Sequence, residues 1–460
     1  MKGFLTQNQV EYVFFHLNHS CTLTSDVRQK IVCKRENVEE GDGKIIFQLT
    51  DESLSRDKIR WEDQIPLLFP SPEKSGFYEM QGNNLLFHHD LLKSSFYLLS
   101  GYQELKPGKL DSLGRYAYEE SIQKSLGIMG RPVVNYYFSI VIQGISEFCK
   151  LHGIPFQKHS IFRNFAFFLT HDVDSLDTYT LNEAGYRVKQ VLGLAPSTES
   201  KARTARIALR YLVQSMNGFN RKNPSWDFEF LRQAEEKHGF KSAFFFLPKD
   251  QLHVDAYYSF NEPRVRKLFK SLKEQGCELG IHGTVRSSTS PEALTAEIKE
   301  LEKHVDQPIH GIRQHRLMFD RSLTHAIHHQ AGLLYDSSLA YADHEGFRNS
   351  YCLPFRPYDH EKDGMYDTWE IPLTVMDVTL FDYRKLSFPQ ALDSVRDLLE
   401  EVNKFKGVFV LLWHNGQNDE FLLPGITDFY MEVMRTIAER EPENLLGPEI
   451  IKRLDNEKHE

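Results

Sequence analysis

From residue 155 onward, short runs of β-branched, leucine and aromatic residues alternate with stretches whose apolar residues recur at helical spacing. That alternation restricts the chain to repeated βα units. The runs fall at 165–170, 242–247, 277–282, 309–313, 333–337, 369–373 and 408–413. Between them, Val265/Leu268/Phe269/Leu272, Leu294/Ile298/Leu301 and Leu392/Val395/Leu399/Val402 trace helix faces. Strands separated by helices pair in parallel, because a parallel crossover needs a dozen or more residues. About seven units predict an α/β fold over residues 156–460, a distorted (β/α) barrel that is closed or nearly closed, with an open sheet as the alternative.

Residues 1–155 have a different rhythm and predict a smaller α+β accessory domain. Alternation at 44–50 reads as a strand, Gly82-Asn83-Asn84 as a hairpin turn, 89–102 as an aromatic-rich helix, and the apolar run behind Pro132 as another. Nothing catalytic converges there. His88-His89-Asp90 could bind a metal, but adjacent histidines diverge, and surface decoration is the expectation.

The 460 residues carry 55 Lys+Arg against 64 Asp+Glu, a net charge of −9, which argues against nucleic-acid binding through a broad basic face. The five cysteines, Cys21, Cys33, Cys149, Cys277 and Cys352, are odd in number and lack C-x-x-C spacing, so no disulfide scaffold is expected. The N-terminus lacks the apolar core of a signal peptide, and no run approaches the ~20 apolar residues of a transmembrane helix. These features predict a soluble, cytoplasmic protein.

Residues 182–222 are too long for a βα connection and carry Lys201, Arg203, Arg206, Arg210, Arg221 and Lys222, with a helix expected at 202–216. The segment is either a solvated insertion or, through its basic 201–222 part, a peripheral docking surface for an anionic glycan or lipid head group.

Chemistry in parallel barrels sits at the C-terminal strand ends. Here the ends deliver Thr170-His171-Asp172-Val173-Asp174, then His282, Arg313-Gln314-His315, Asp336, Trp369-Glu370 and His414-Asn415. In an extended segment Thr170, Asp172 and Asp174 share a face while His171 and Val173 point away. Two carboxylates on one face suit a metal ligand paired with a general base. His282 and His414, each after an apolar strand, are either satisfied core histidines or their companions. Tyr341, Asp343, Arg348, Glu370 and Asp377 are rim candidates for sugar hydroxyls, with ordinary loop ion pairs as the alternative. Trp369 and Trp413 are apolar floors or core. His325, His328 and His329 read as the solvent face of a helix.

These motifs resemble, in order, those of the polysaccharide deacetylase family, the NodB homology domain of carbohydrate esterases, over residues 160–455. T-H-D-V-D at 170–174 resembles T-F-D-D-G, His282-Gly283-Thr284-Val285-Arg286 resembles H-[ST]-x-x-H, Arg313-Gln314-His315 resembles the Arg-containing motif, and Leu412-Trp413-His414 resembles the terminal Leu-x-His. Together with R-Q-H-R-L, Y-A-D-H-E-G-F-R and W-E-I-P-L, they resemble a bacterial subgroup with an extra N-terminal domain. The resemblance implies a metal-dependent hydrolase of amide, not peptide, C–N bonds that removes an N-acyl group, typically acetyl, from an amino sugar or polysaccharide, with a divalent metal, usually zinc. It implies Asp172 as general base, Asp174 and His282 as metal ligands, Arg313 as orienter of the base and His414 as general acid; Trp413, Tyr341, Asp343, Arg348 and Glu370 stay the rim and floor candidates for substrate contact that their positions alone suggest. Two departures stand out. The second motif histidine is Arg286, which cannot ligate because guanidinium stays protonated, and the usual Pro after Arg313 is missing. His315 is the nearest replacement ligand by position. The departures leave two alternatives, a catalytically weakened glycan-binding protein and an amidohydrolase for a small amide or ureide.

Overall fold

A computed structural model describes residues 3–35, 41–106, 108–197, 200–216, 223–249 and 258–456. Arg221 and Lys222 lie outside the described residues.

The second part of the chain is built on one parallel sheet whose strands are β1 (Ala166–Val173), β2 (Ser242–Phe246), β3 (Glu278–Gly283), β4 (Gly311–Gln314), β5 (Tyr335–Asp336), β6 (Trp369–Glu370), β7 (Val375–Met376), β8 (Val408–Leu412) and β9 (Glu443–Asn444). Their order is β6-β5-β4-β3-β2-β1-β8-β7, with β9 added beside the start of β1. This is a distorted (β/α) barrel, open between β6 and β7. All eight residues of β1 are buried, as a strand covered on both faces requires. Each of the seven apolar runs forms a strand, but the one expected at 369–373 stops at Glu370. Pro372 lacks the N–H that a central strand needs, and the chain crosses the opening to start β7 at the opposite edge.

Helices between the strands follow the predicted spacing. Pro263–Glu274 buries Val265, Leu268, Phe269 and Leu272, and Pro291–Val305 buries Leu294, Ile298 and Leu301 behind a Ser290 N-cap. Phe388–Lys404 starts with a capping box between Ser387 and Gln390. The insertion forms two packed helices, α1 (Leu181–Val191) and α2 (Lys201–Met216).

Earlier in the chain, Ile31–Lys34, Ile45–Gln48, Asn84–Phe87 and Tyr78–Gln81 form a four-stranded sheet with its hairpin at Gly82-Asn83. The helix Val133–His152 approaches that sheet closely at Gly144, where an added Cβ would sit 3.0 Å from the Phe87 ring. His88, His89 and Asp90 are buried rather than decorating the surface. Asp90 caps the helix Leu91–Leu99, its Oδ1 accepting from Lys93 N at 2.8 Å, and His89 Nδ1 accepts from Ser71 N. These are structural bonds that only tertiary packing reveals.

The apolar core runs continuously from this region into the barrel. A buried ion pair crosses the same boundary, where Arg348 Nε and Nη2 donate to the two carboxylate oxygens of Glu104 at 2.9 Å each. Arg321 lies 3.7 Å from the same carboxylate. Removing one partner of such a pair leaves an uncompensated buried charge, so Glu104→Gln is expected to cost about 3–5 kcal/mol, read as a lower urea midpoint. An unchanged midpoint would mean that the two arginines find water.

Candidate functional site

The C-terminal strand ends surround a cavity of about 440 Å³. Asp172, Asp174, His282, His315 and His414 all line it. The strand alternation accounts for the first two, because Asp172 faces the cavity whereas His171 turns the other way, its Nε2 2.8 Å from the buried Glu235.

His282 Nδ1–H donates to the Arg313 carbonyl at 2.8 Å, which directs the Nε2 lone pair into the cavity. That nitrogen sits 3.1 Å from Asp174 Oδ1 and 3.7 Å from Asp172 Oδ2. Lone pairs at such separations repel unless a proton or cation lies between them. Asp172 Oδ1 and Asp174 Oδ1 are also buried without a hydrogen-bond partner. One ligand atom each from Asp174, His282 and His315 lie within 4.8 Å of one another. Two imidazoles, a carboxylate and an open side toward the cavity are a donor set that suits zinc, and the unpartnered oxygens fit a cation. Burial disfavours the Asp174 carboxylate, yet His282, His315 and His414 outweigh it and hold the group well below the usual carboxylate range. Arg286 is exposed on a 3₁₀ turn and does not line the cavity.

Backbone geometry at His315 is unusual. The next two residues, Arg316 and Leu317, adopt left-handed φ values of 58° and 52°, which non-glycine residues rarely take. The Arg316 carbonyl accepts from Arg115 Nη1, so the region before the barrel holds this turn. Arg115, itself paired with Asp111, and Leu113 line the cavity mouth with Tyr383.

On the opposite side, His414 is fixed by Asp377, whose Oδ1 lies 2.6 Å from Nδ1 and whose Oδ2 accepts from the His414 backbone N–H at 2.7 Å. Burial works against the imidazolium, but Asp377, with Asp174 and Asp172 behind it, pushes the pKa up to about 10. His414 Nε2 is 3.9 Å from Asp174 Oδ2. Among the rim candidates, only Asp377 is tied directly to this cluster, as the orienter of an imidazole rather than a sugar contact.

Several expected site residues are placed elsewhere. Arg313 is fully buried and donates to Thr170 Oγ1 and Ser337 Oγ, with its guanidinium over the Phe245 ring; no bond joins it to Asp172. Trp413 is core, its Nε1 donating to Asn418 and its ring packed on Phe429 and Tyr430. Tyr341 packs against Tyr118 under Arg348, which is spent on Glu104. Asp343 lies outside the cavity lining, 3.5 Å from His344. Glu370 is fully buried, 3.0 Å from His325 Nε2. His325 and His328 are therefore not solvent-facing: both are buried, and His328 Nδ1 meets Asp336 Oδ2 at 3.1 Å. His329 alone of the three is exposed.

Residues 4–150 match the profile of a family of unknown function, DUF7033. No curated protein matches the chain. Among solved structures, the chain is similar to a candidate polysaccharide deacetylase from Mycobacterium smegmatis, at 16% identity over 64% of this chain and 91% of that one, with a TM-score of 0.41. It is also similar to the polysaccharide deacetylase Bc1974 from Bacillus cereus, at 14% identity over 62% and 92%, TM-score 0.27. A third similar structure is the catalytic domain of a peptidoglycan N-acetylglucosamine deacetylase from Eubacterium rectale, at 11% identity over 62% and 88%, TM-score 0.27.

Proposed function

We propose that this chain is a metal-dependent hydrolase that removes an N-acyl group, most simply acetyl, from an amino sugar of a glycan. The observation that carries this reading is the convergence, in one cavity, of the Asp174–His282–His315 donor set, the Asp172 carboxylate with its unpartnered Oδ1 and the His414 imidazole held by Asp377. The motif order of the sequence supports it independently. A cavity of about 440 Å³ falls within the ~300–1,000 Å³ usual for small-ligand sites.

Asp174, His282 and His315 would hold the ion. When bound there, a divalent ion supplies Lewis acidity toward an amide carbonyl and makes the attacking water more acidic. Asp172, which lines the cavity and has one carboxylate oxygen without a hydrogen-bond partner, takes the proton from that water. His414, kept protonated by Asp377, gives a proton to the leaving amine. Tyr383, whose hydroxyl oxygen accepts from Arg115 Nη2, offers its O–H to a sugar hydroxyl.

Acetate release from N-acetylglucosamine oligomers, with zinc and after chelation, tests this reading. Zinc-dependent release supports it. Oligomer binding without release would point instead to a weakened glycan-binding protein, and turnover confined to small ureides to the other alternative.

The ligand assignment of His315 has its own check. His315→Ala is expected to weaken zinc binding by more than ~10-fold in a calorimetric titration, whereas Arg286→Ala leaves it unchanged, because Arg286 is exposed and does not line the cavity. Undiminished zinc affinity in His315→Ala, with activity lost, would make His315 a substrate contact.

A further inference from the structure

The hairpin of α1 and α2 has a division of faces that its packing against the described residues does not use up. One side of α2 buries Thr204, Ile207, Ala208 and Tyr211, and Ile207 and Tyr211 form a small separate core with Tyr179 and Ala184, against which Phe421 and Leu422 pack. A second side carries Leu209, Leu212, Val213 and Met216 at i, i+3, i+4 and i+7, which is the spacing of one continuous helix stripe. All four are exposed, at 63%, 39%, 46% and 82%. A helix that needed only to cover Tyr179 and Phe421 would present polar residues there. Leu181, Leu192 and Leu194 are exposed as well, at 75%, 65% and 74%.

Lys201 and Arg206 are exposed and border the apolar stripe at its two edges, whereas Arg203 and Arg210 are half-buried, Arg210 lying 4.0 Å from Asp419. Residues 181–216 contain six Lys/Arg against two Glu, a net charge of +4 in a chain whose net charge is −9. An exposed apolar stripe bordered by basic residues is the pattern of a helix that lies in a bilayer interface, where apolar side chains enter the acyl boundary and cations meet anionic head groups. A second copy is a poorer occupant, since a two-fold contact would set this positive face against itself.

The hairpin's anchorage gives the surface a functional direction. Arg203 donates to the Leu422 carbonyl, and Arg210 reaches Tyr179 Oη and stacks over Phe421 at 4.2 Å. Tyr179 follows Asp174 on the loop after β1, and Phe421 and Leu422 follow His414 on the loop after β8. The hairpin thus rests on the two loops that carry cavity residues.

We infer that the α1–α2 hairpin docks the protein on an anionic lipid bilayer through the Leu209/Leu212/Val213/Met216 stripe and its basic border. The substrate is then a glycan carried at that surface, a step that rests on the deacetylase reading. The full-length chain is sedimented with phosphatidylcholine vesicles, with and without phosphatidylglycerol. Binding only to the anionic vesicles, released by salt, is expected. Leu209→Glu with Val213→Glu should abolish it, and Lys201→Glu with Arg206→Glu should weaken it by at least ~5-fold per residue, all with unchanged thermal midpoints. Acetate release from a soluble oligomer is measured on the same variants and should not change. Absence of binding to either vesicle type would overturn the docking, as would a concentration-dependent dimer or capture of an acidic protein that the Leu209/Val213 double variant abolishes while vesicle binding persists. Vesicle binding without acetate release from any variant or the parent chain would leave the docking standing and remove the deacetylase reading.

Discussion

Asp174→Asn is expected to purify without metal and without hydrolytic activity, while Asp172→Asn keeps its metal and loses turnover by ~10²–10⁴-fold. The contrast follows from where the two carboxylates stand. Asp174 Oδ1 is 3.1 Å from His282 Nε2 and belongs to the donor group with His315, so an amide there withdraws the anionic ligand. Metal affinity should fall by more than the ~10–100-fold that changes one layer further out produce. Asp172 is 3.7 Å from the same nitrogen, with a second oxygen that no group satisfies. Its amide keeps the shape and loses the capacity to accept a proton. Elemental analysis beside acetate release reads both variants. Equal metal loss in the two would mean that Asp172 is a ligand and that the division of labour is wrong.

The second large effect concerns His414. His414→Ala should lower kcat by ~10²–10⁴-fold with a smaller change in KM, as expected for a group that acts on the leaving amine. Asp377→Asn is the more discriminating variant, because it leaves the imidazole in place. Asp377 leads the groups that raise the His414 pKa to about 10, so in Asp377→Asn the basic limb of the pH–rate profile should move down by more than one unit, toward the ordinary histidine value. The linkage has a fixed sign. A group raised on folding stabilises fully below its unfolded pKa of about 6.5 and loses that contribution as pH rises through about 10, so the parent's stability advantage over Asp377→Asn should be present at neutral pH and fade in alkali. A basic limb that does not move would remove His414 from proton transfer.

Much of this architecture is legible from the residues themselves. Apolar runs locate each long strand because a doubly covered strand has no polar face to hide it, and the helices declare themselves through Val265/Leu268/Phe269/Leu272 and similar spacing. The side chains at strand ends were readable for the same reason, since alternation along β1 fixes which of His171 and Asp172 faces the cavity. Partners distant in sequence were not. Asp377 reads as one rim carboxylate among several, and its tie to His414 exists because β7 lies beside β8, a neighbour relation set by the break at Pro372. Arg348, Tyr341 and Glu370 read as rim residues because nothing local announces that Glu104 and Tyr118 from the earlier region, or the helix bearing His325, pack over them. Arg115 was invisible for the converse reason, being a cavity residue on a loop outside the barrel.

Anomalous scattering at the zinc edge, from crystals grown with zinc, locates the ion and its ligands. A peak bounded by Asp174, His282 and His315, with Asp172 and His414 facing it, is expected. The buried His325–Asp336–Glu370 group, whose ligand atoms also lie within 4.8 Å of one another, provides an internal comparison. Zinc found there and absent from the cavity, in a chain that binds the metal in solution, would contradict the proposed catalytic centre.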